Sequence, residues 1–256
     1  MNRLFMHFFK IKNVQSFYSV FLIILILILL RMQYGVLLFH TLSELFSIMV
    51  GVLMFVVVWN TRSFTQNNFL VYLGIGYFWI AVLDTWHTFT IQGMPFFDII
   101  SAEPTLHFWI YARFLEALLL LSAPIFLKRE LNSTLILYLS GILTLVVIWI
   151  SFNLNQPVML TPEGLTTFKI ATEYFIMLLM CMAAVIYIKQ RQYLSTDVLY
   201  YLLMSISLTI LAEFFFTQYA DFNGAPFVVG HLLKFLSFWM IYRNYYHDFK
   251  TTIYHD

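Results

Sequence analysis

Residues 21–30 read Phe-Leu-Ile-Ile-Leu-Ile-Leu-Ile-Leu-Leu, a run without a single polar side chain. A strand of a membrane barrel would alternate apolar and polar residues over about ten positions, so this run favours an α-helix. The same bias extends along the whole chain, because 61% of its 256 residues are hydrophobic and 11% are charged, against about 25% charged residues in a soluble domain. The sequence therefore predicts an all-α, polytopic transmembrane helix bundle.

This composition excludes several broad classes of protein. A chain of 256 residues cannot bury so much apolar surface in one water-soluble core, which excludes a soluble enzyme, a disordered protein and a nucleic-acid-binding protein. The single cysteine, Cys181, excludes a scaffold of internal disulfides. The formal net charge of +1 gives no information about partners. We therefore expect the lipid bilayer, and no nucleic acid, as a partner.

Eight apolar stretches are long enough to cross a bilayer, which takes about 20 residues. They cover residues 15–31, 38–59, 69–90, 105–127, 133–152, 166–188, 198–219 and 226–246. We therefore predict an integral membrane domain over 15–246, after a cytoplasmic N-terminal tail at 1–14. Residues 247–256 are predicted to be a cytoplasmic stub or the start of an output linker.

The basic residues predict the orientation of the bundle. With the N-terminus in the cytoplasm, ten of the 14 Lys and Arg residues fall in segments or at span ends on that side, three lie deeper within spans, and only Arg31 lies at an outer span end. Cytoplasmic loops carry such an excess of basic residues. Both termini are therefore predicted to be cytoplasmic, which agrees with an even number of spans.

Ionisable residues within the spans recur in pairs three or four positions apart, which places both members of a pair on one helix face. The pairs are His40 and Glu44, Asp84 and His87, Arg113 and Glu116, Lys169 and Glu173, and His231 and Lys234, with His107 and Glu213 standing alone. In the predicted orientation they all lie in the outer half of the membrane. Because ionisable groups are costly in a bilayer and usually face the bundle interior, we predict that they gather at one level.

Several interpretations of these residues stay open. The pairs could serve only to neutralise each other and fix helix packing. The imidazoles and carboxylates could hold a metal ion or haem, with His40, His87 and His231 as candidate metal ligands. An organic ligand could bind among the aromatic side chains of Trp79, Trp86, Phe108 and Trp109. A proton or ion path is disfavoured, because the inner half of the predicted bundle carries few ionisable groups.

Two functions of other classes are alternatives to a receptor. An intramembrane metal-dependent hydrolase would need three protein ligands and an open metal position for water, and the chain contains neither an HExxH nor a GxSxG motif. A small transporter is the second alternative, although the two halves show no inverted repeat. Gly74 and Gly76 lie within an apolar span, which predicts helix packing and no nucleotide binding.

Several blocks of sequence occur in the order typical of one protein family. They include Phe39-His-Thr-Leu-Ser-Glu-Leu-Phe-Ser-Ile, Leu83-Asp-Thr-Trp-His-Thr, Phe108-Trp-Ile-Tyr-Ala-Arg-Phe-Leu-Glu-Ala and Gly230-His-Leu-Leu-Lys-Phe-Leu-Ser-Phe. In these blocks the chain resembles the bacterial membrane-associated sensor domain, the third class of the MASE group. The resemblance covers roughly residues 36–245.

The resemblance implies a sensory input module, not an enzyme, in the inner (cytoplasmic) membrane of a bacterium. Domains of that family usually precede histidine kinase, PAS or diguanylate cyclase modules, so the implied partners are an unknown small ligand and a cytoplasmic effector of the histidine kinase or diguanylate cyclase type. The chain departs from the family pattern after Arg243. The chain could therefore be either a stand-alone sensor or an excised domain. A homodimer also stays open.

The residues singled out by charge largely match the family's positions. We therefore predict a ligand site formed by His40, Glu44, Asp84, His87, Trp109, Arg113, Glu116, Glu213, His231 and Lys234, to which the charge pattern alone adds His107.

Overall fold

The computed structural model describes residues 14–64, 67–97, 101–219 and 221–254. In these residues the chain forms eight α-helices: α1 (Val14–Tyr34), α2 (Val36–Thr61), α3 (Asn68–Phe89), α4 (Glu103–Ser122), α5 (Ser133–Asn153), α6 (Thr167–Lys189), α7 (Thr196–Phe216) and α8 (Ala225–Tyr254). A two-residue hairpin, β1 (Leu160–Thr161) with β2 (Gly164–Leu165), lies between α5 and α6. The predicted all-α fold class is thereby confirmed.

Seven of the described helices are long and apolar enough to cross a membrane, namely α2 to α7 and the Ala225–Arg243 part of α8. The described apolar part of α1, Tyr18–Tyr34, is shorter. A crossing by the first helix therefore stays a prediction. Residues 1–13 of the predicted N-terminal tail and 255–256 of the predicted stub lie outside the described residues.

The chain divides into two compact units, Met1–Leu42 and Ser43–Asp256. The first unit contains α1 and the beginning of α2. Gly35 joins these helices with a φ of +88°, a backbone conformation in which a Cβ would be strained. Its N–H donates a hydrogen bond to the Arg31 carbonyl at 3.0 Å, which closes the last turn of α1 before the chain enters α2.

The second unit is a bundle in which α7 packs along α8, α3 packs along α4, and α6 contacts both α4 and α7. The helices α2 and α3 approach each other closely at glycines. A Cβ at Gly51 would lie 2.6 Å from the carbonyl oxygen of Tyr77, and one at Gly74 would overlap the Val58 side chain. Small residues at helix crossings permit this close approach of backbones in membrane proteins.

The helix ends follow from side chains that satisfy backbone groups. Four helices, α3, α5, α6 and α7, begin after a residue whose side chain accepts a hydrogen bond from an N–H three residues later: Asn67, Asn132, Thr166 and Ser195. Helix α4 ends at Ser122, and Pro124 lies in the 3₁₀ turn Ala123–Leu127 that follows. A proline lacks the N–H that would continue the α-helix.

The second unit carries its charges inside and its apolar side chains outside. Leu53, Leu145 and Leu178 are each more than half exposed, whereas the buried set includes five carboxylates with no exposed surface: Glu44, Asp84, Glu116, Glu173 and Glu213. A bundle surrounded by lipid requires this arrangement, because the hydrocarbon cannot solvate a charge. The fold therefore places the ionisable residues where only other protein groups can compensate them.

Candidate functional site

Arg113 on α4 is the centre of the buried charges. Its Nη2 atom lies 2.9 Å from both carboxylate oxygens of Asp84 on α3, and its Nη1 atom pairs with Oε2 of Glu116 one turn further along α4. The arginine side chain is 1% exposed. A guanidinium has five N–H donors in a rigid plane, so it can hold two carboxylates at once.

Lys234 on α8 extends this contact to two more helices. Its Nζ atom pairs with Oε2 of Glu44 on α2 and lies 3.1 Å from Oδ1 of Asp84. The result is a continuous series of contacts from Glu44 through Lys234, Asp84 and Arg113 to Glu116, which we call the ion-pair chain. It joins α2, α8, α3 and α4 across the interior of the second unit.

The ion-pair chain fixes the helices relative to one another. Desolvating a charge is expensive, and removal of one partner of a buried pair leaves an uncompensated charge that costs about 3–5 kcal/mol. The phenol of Tyr77 supports the end of the chain by donating a hydrogen bond to Oε1 of Glu116 at 3.1 Å. A movement of α8 that displaced Lys234 would therefore change the compensation of both Glu44 and Asp84.

Two histidines lie beside the ion-pair chain in defined orientations. The Nδ1 atom of His87 is 2.8 Å from the carbonyl oxygen of Thr105, and Nδ1 of His231 is 2.8 Å from the carbonyl oxygen of Phe227. A carbonyl only accepts hydrogen bonds, so each Nδ1 carries a proton, and in the neutral ring each Nε2 then keeps a lone pair. The Nε2 atom of His231 lies 3.6 Å from Oε1 of Glu44.

One ligand atom each from Glu44, His87 and His231 lies within 4.8 Å of the others. We call these three residues the histidine group. The Trp109 ring lies against it, with ring centroids 5.2 Å from His87 and 5.9 Å from His231. The same indole ring lies 4.6 Å from Nζ of Lys234, so one aromatic surface contacts both the histidines and the ion-pair chain.

A second polar contact joins α6 to α7. Lys169 on α6 pairs with Oε1 of Glu173 at 2.6 Å and donates a hydrogen bond to the carbonyl oxygen of Phe216 at 2.9 Å. Glu213 is completely buried, interacts electrostatically with Lys169 and Arg113, and makes no side-chain hydrogen bond within the described residues. In the loop that follows α7, burial raises the pKa of Tyr219, whose ring lies 4.7 Å from Nζ of Lys169.

Three of the predicted site residues lie elsewhere: Glu213 at the contact between α6 and α7, and His107 and His40. His107 is buried, but its Nε2 is 2.9 Å from the carbonyl oxygen of Pro157 and 3.7 Å from Oε2 of Glu103. Glu103 in turn accepts hydrogen bonds from the backbone of Met159 and Leu160, so this contact holds the connection between α5 and α6. His40 is a buried residue of the first unit, and its role as a ligand stays a prediction.

Several groups that shape the site are not among the predicted residues. Tyr77 lies seven residues before Asp84, a spacing that places both on one helix face, but the spacing does not identify Glu116 on α4 as its partner. No sequence signal marks the backbone carbonyls that orient the histidines. One turn after Lys234 on α8, the Ser237 hydroxyl contacts those of Ser205 at 2.8 Å and Thr209 at 2.7 Å. This hydroxyl cluster joins α7 to α8.

The apolar exterior, the spanning helices and the charged interior together define a multi-pass membrane protein. The chain matches the family model described as membrane-associated sensor domain, MASE3, over residues 31–249. It therefore belongs to this family, and its role is that of a membrane-associated sensor domain in signalling. Family membership favours a non-enzymatic role. Searches of curated proteins and of solved structures found no significant match.

Proposed function

We propose that this domain senses a small ligand or a metal ion at the buried polar site and passes the signal to a cytoplasmic effector. The site consists of the ion-pair chain, the histidine group and Trp109. The observation that carries the proposal is that buried charges from four helices contact one another in one place. Ionisable groups inside a membrane are rare and usually functional.

Helix α8 connects the site with the other end of the bundle. It contributes His231 and Lys234 near its beginning, contacts α7 through Ser237, and brings Arg243 within 3.3 Å of the Tyr201 hydroxyl. A ligand that binds two arrangements of these helices unequally shifts the population toward one of them. A change of the ion pairs at Lys234 would thus alter the contact between Arg243 and Tyr201.

The proposed partners follow from this direction of signalling. The buried site lies, in the predicted orientation, in the outer half of a bacterial inner membrane, and α8 runs toward the cytoplasm. The effector is of the histidine kinase or diguanylate cyclase type, fused to the domain or bound to it, and the domain acts as a homodimer when its effector does. His40, four residues before Glu44 on the same helix, stays a predicted ligand.

A fusion protein tests whether the polar site controls an output. The full chain is joined after α8 to the catalytic domain of a diguanylate cyclase, and production of cyclic dinucleotide is measured in membranes. We expect Asp84→Asn, which weakens the contacts to Arg113 and Lys234, to change the rate about fivefold or more, since couplings between sites are commonly of that size.

The matched control is Tyr111→Phe on α4, which removes a partly buried hydrogen bond of 2.6 Å to Gln156 in the connection after α5, outside the polar site. Its output should equal that of the unchanged fusion protein at equal membrane abundance. Equal output from Asp84→Asn and Tyr111→Phe would contradict the proposal.

A further inference from the structure

The orientation of the two histidines is the first reason to consider a specific ligand for this site. His87 and His231 each donate the Nδ1 proton to a backbone carbonyl at 2.8 Å, which leaves Nε2 as the basic nitrogen. Protein ligands of metal ions are commonly held in this way, with the second ring nitrogen bonded to a carbonyl or carboxylate. The same arrangement occurs on two different helices, α3 and α8.

The spacing of the three side chains is the second reason. The ligand atoms of Glu44, His87 and His231 lie within 4.8 Å of one another. Around a tetrahedral ion with bonds of about 2.1 Å, neighbouring ligand atoms are about 3.4 Å apart. Side-chain rotations that bring each atom inward by about 1 Å would therefore place three ligands around the ion and leave the fourth position for water. Two imidazoles and one carboxylate form a known ligand set for zinc.

The surrounding charges and rings fit a cation. With every group ionised, the ion-pair chain contains three carboxylates and two cationic side chains, a formal charge of −1: Glu44, Asp84 and Glu116 against Arg113 and Lys234. This excess of negative charge attracts a cation. The rings of Phe216, Phe227 and Trp109 lie 4.9, 4.3 and 5.9 Å from that of His231, and such an apolar shell strengthens the attraction between an ion and its ligands.

We propose that Glu44, His87 and His231 bind one divalent transition-metal ion, of which zinc is the representative. The carboxylate of Glu44 is shared with Lys234, so the ion competes with the ammonium for Oε2. On binding, the Lys234 side chain keeps its contact with Asp84, which lies 3.1 Å away. Because His231 and Lys234 are one turn apart on α8, this exchange acts directly on the helix that carries the signal.

This inference rests on the proposed sensory function for its consequence, but metal binding is measured independently. The full chain is purified into lipid nanodiscs, treated with a chelator and titrated with Zn²⁺ and, separately, with Co²⁺ as a coloured substitute. We expect one ion per chain and a visible ligand-field spectrum of four-coordinate Co²⁺. X-ray absorption of the Zn²⁺ form should show two imidazoles and oxygen ligands at about 2.0–2.2 Å.

The variants separate the histidine group from other histidines. His87→Ala and His231→Ala should each weaken Co²⁺ binding by about tenfold or more, whereas His107→Ala, also a buried histidine, should leave it unchanged. Lys234→Met should bind Co²⁺ about tenfold more tightly or better, because the repulsion between the ammonium and the ion is removed. If a histidine variant does not fold, the X-ray absorption spectrum of the unchanged protein still decides the ligands.

The results distinguish the two proposals. A chain without stoichiometric Zn²⁺ or Co²⁺, or equal loss of binding in His107→Ala and His231→Ala, overturns the metal site. If metal is not bound but Asp84→Asn still alters the output of the fusion protein, the sensory function stands and only the metal inference fails. If one ion binds through the histidine group but the output ignores Asp84, the metal site stands and the sensory function fails.

Discussion

The guanidinium of Arg113 holds both carboxylate oxygens of Asp84 at 2.9 Å, inside a bundle where neither side chain is more than 1% exposed. This contact joins α3 to α4 at the level of the histidine group. The pair is part of a longer series of contacts. Its loss therefore also weakens the ion pair of Arg113 with Glu116 on one side and that of Asp84 with Lys234 on the other. The stability of the bundle and the state of the site are therefore linked.

Replacing Arg113 by methionine should strongly destabilise the protein. Asp84 and Glu116 would each lose a buried cationic partner, and we expect the free energy of unfolding in mixed micelles to fall by about 3–5 kcal/mol. The double variant Arg113→Met/Asp84→Leu should recover part of this loss, because an apolar pair needs no compensation. Tyr111→Phe serves as the control on the same helix. A loss below about 1 kcal/mol would show that the pair is poorly desolvated.

Gly51→Ala should separate α2 from α3. The new Cβ would lie 2.6 Å from the backbone oxygen of Tyr77 and 3.0 Å from the Cβ of Ala81, and neither can rotate away. Although alanine favours a helix by up to about 1 kcal/mol over glycine, we expect a net loss of about 1–3 kcal/mol in the free energy of unfolding. Leu53→Ala, at an exposed position of the same helix, should change it less. A higher free energy of unfolding in the Gly51→Ala protein would contradict the close approach of α2 and α3 at this position.

Ser237→Ala should loosen α8 from α7. The substitution removes contacts to the hydroxyls of Ser205 and Thr209, and hydrogen bonds between membrane helices contribute about 0.6 kcal/mol each on average. We therefore expect a loss of about 1 kcal/mol, measured by unfolding in micelles. Ser207→Ala, an exposed hydroxyl on α7, should have no effect, and equal losses in the two variants would refute the role of the cluster.

The protein should lose stability at alkaline pH partly through Tyr219. Burial raises the pKa of this phenol in the folded protein, above the value of about 10 of an unfolded chain. Its contribution to stability is therefore complete below about pH 10 and is lost as the pH rises further, because the unfolded state releases the proton more easily. Unfolding measured at about pH 8 and about pH 10.5 should show a smaller pH effect in Tyr219→Phe than in the exposed control Tyr138→Phe. An identical pH effect in both variants would contradict this contribution of Tyr219.

The fold class follows from the sequence because it depends on composition and length. A run such as residues 21–30 is incompatible with a water-exposed element, and the pairs Arg113–Glu116 and Lys169–Glu173 form within one helix, where spacing alone brings them together. These features need no knowledge of how the helices are arranged.

The partners of Asp84 could not be predicted in the same way. Its spacing suggested His87, but its carboxylate is bound by Arg113 from α4 and Lys234 from α8. Such contacts depend on the rotation of each helix about its axis, which is set by close approaches such as that at Gly51. His107 shows the same limit, since its spacing says nothing of the Pro157 carbonyl that it contacts.

A distance measurement shows whether the polar site controls the opposite end of α8. Spin labels are placed at the exposed positions Tyr193 and Tyr242 in a Cys181→Ser background, and their separation is measured in nanodiscs with Asp84 intact, with Asp84→Asn and with Tyr111→Phe. We predict that Asp84→Asn shifts the distance distribution and that Tyr111→Phe leaves it unchanged. Superimposable distributions for all three proteins would contradict the account.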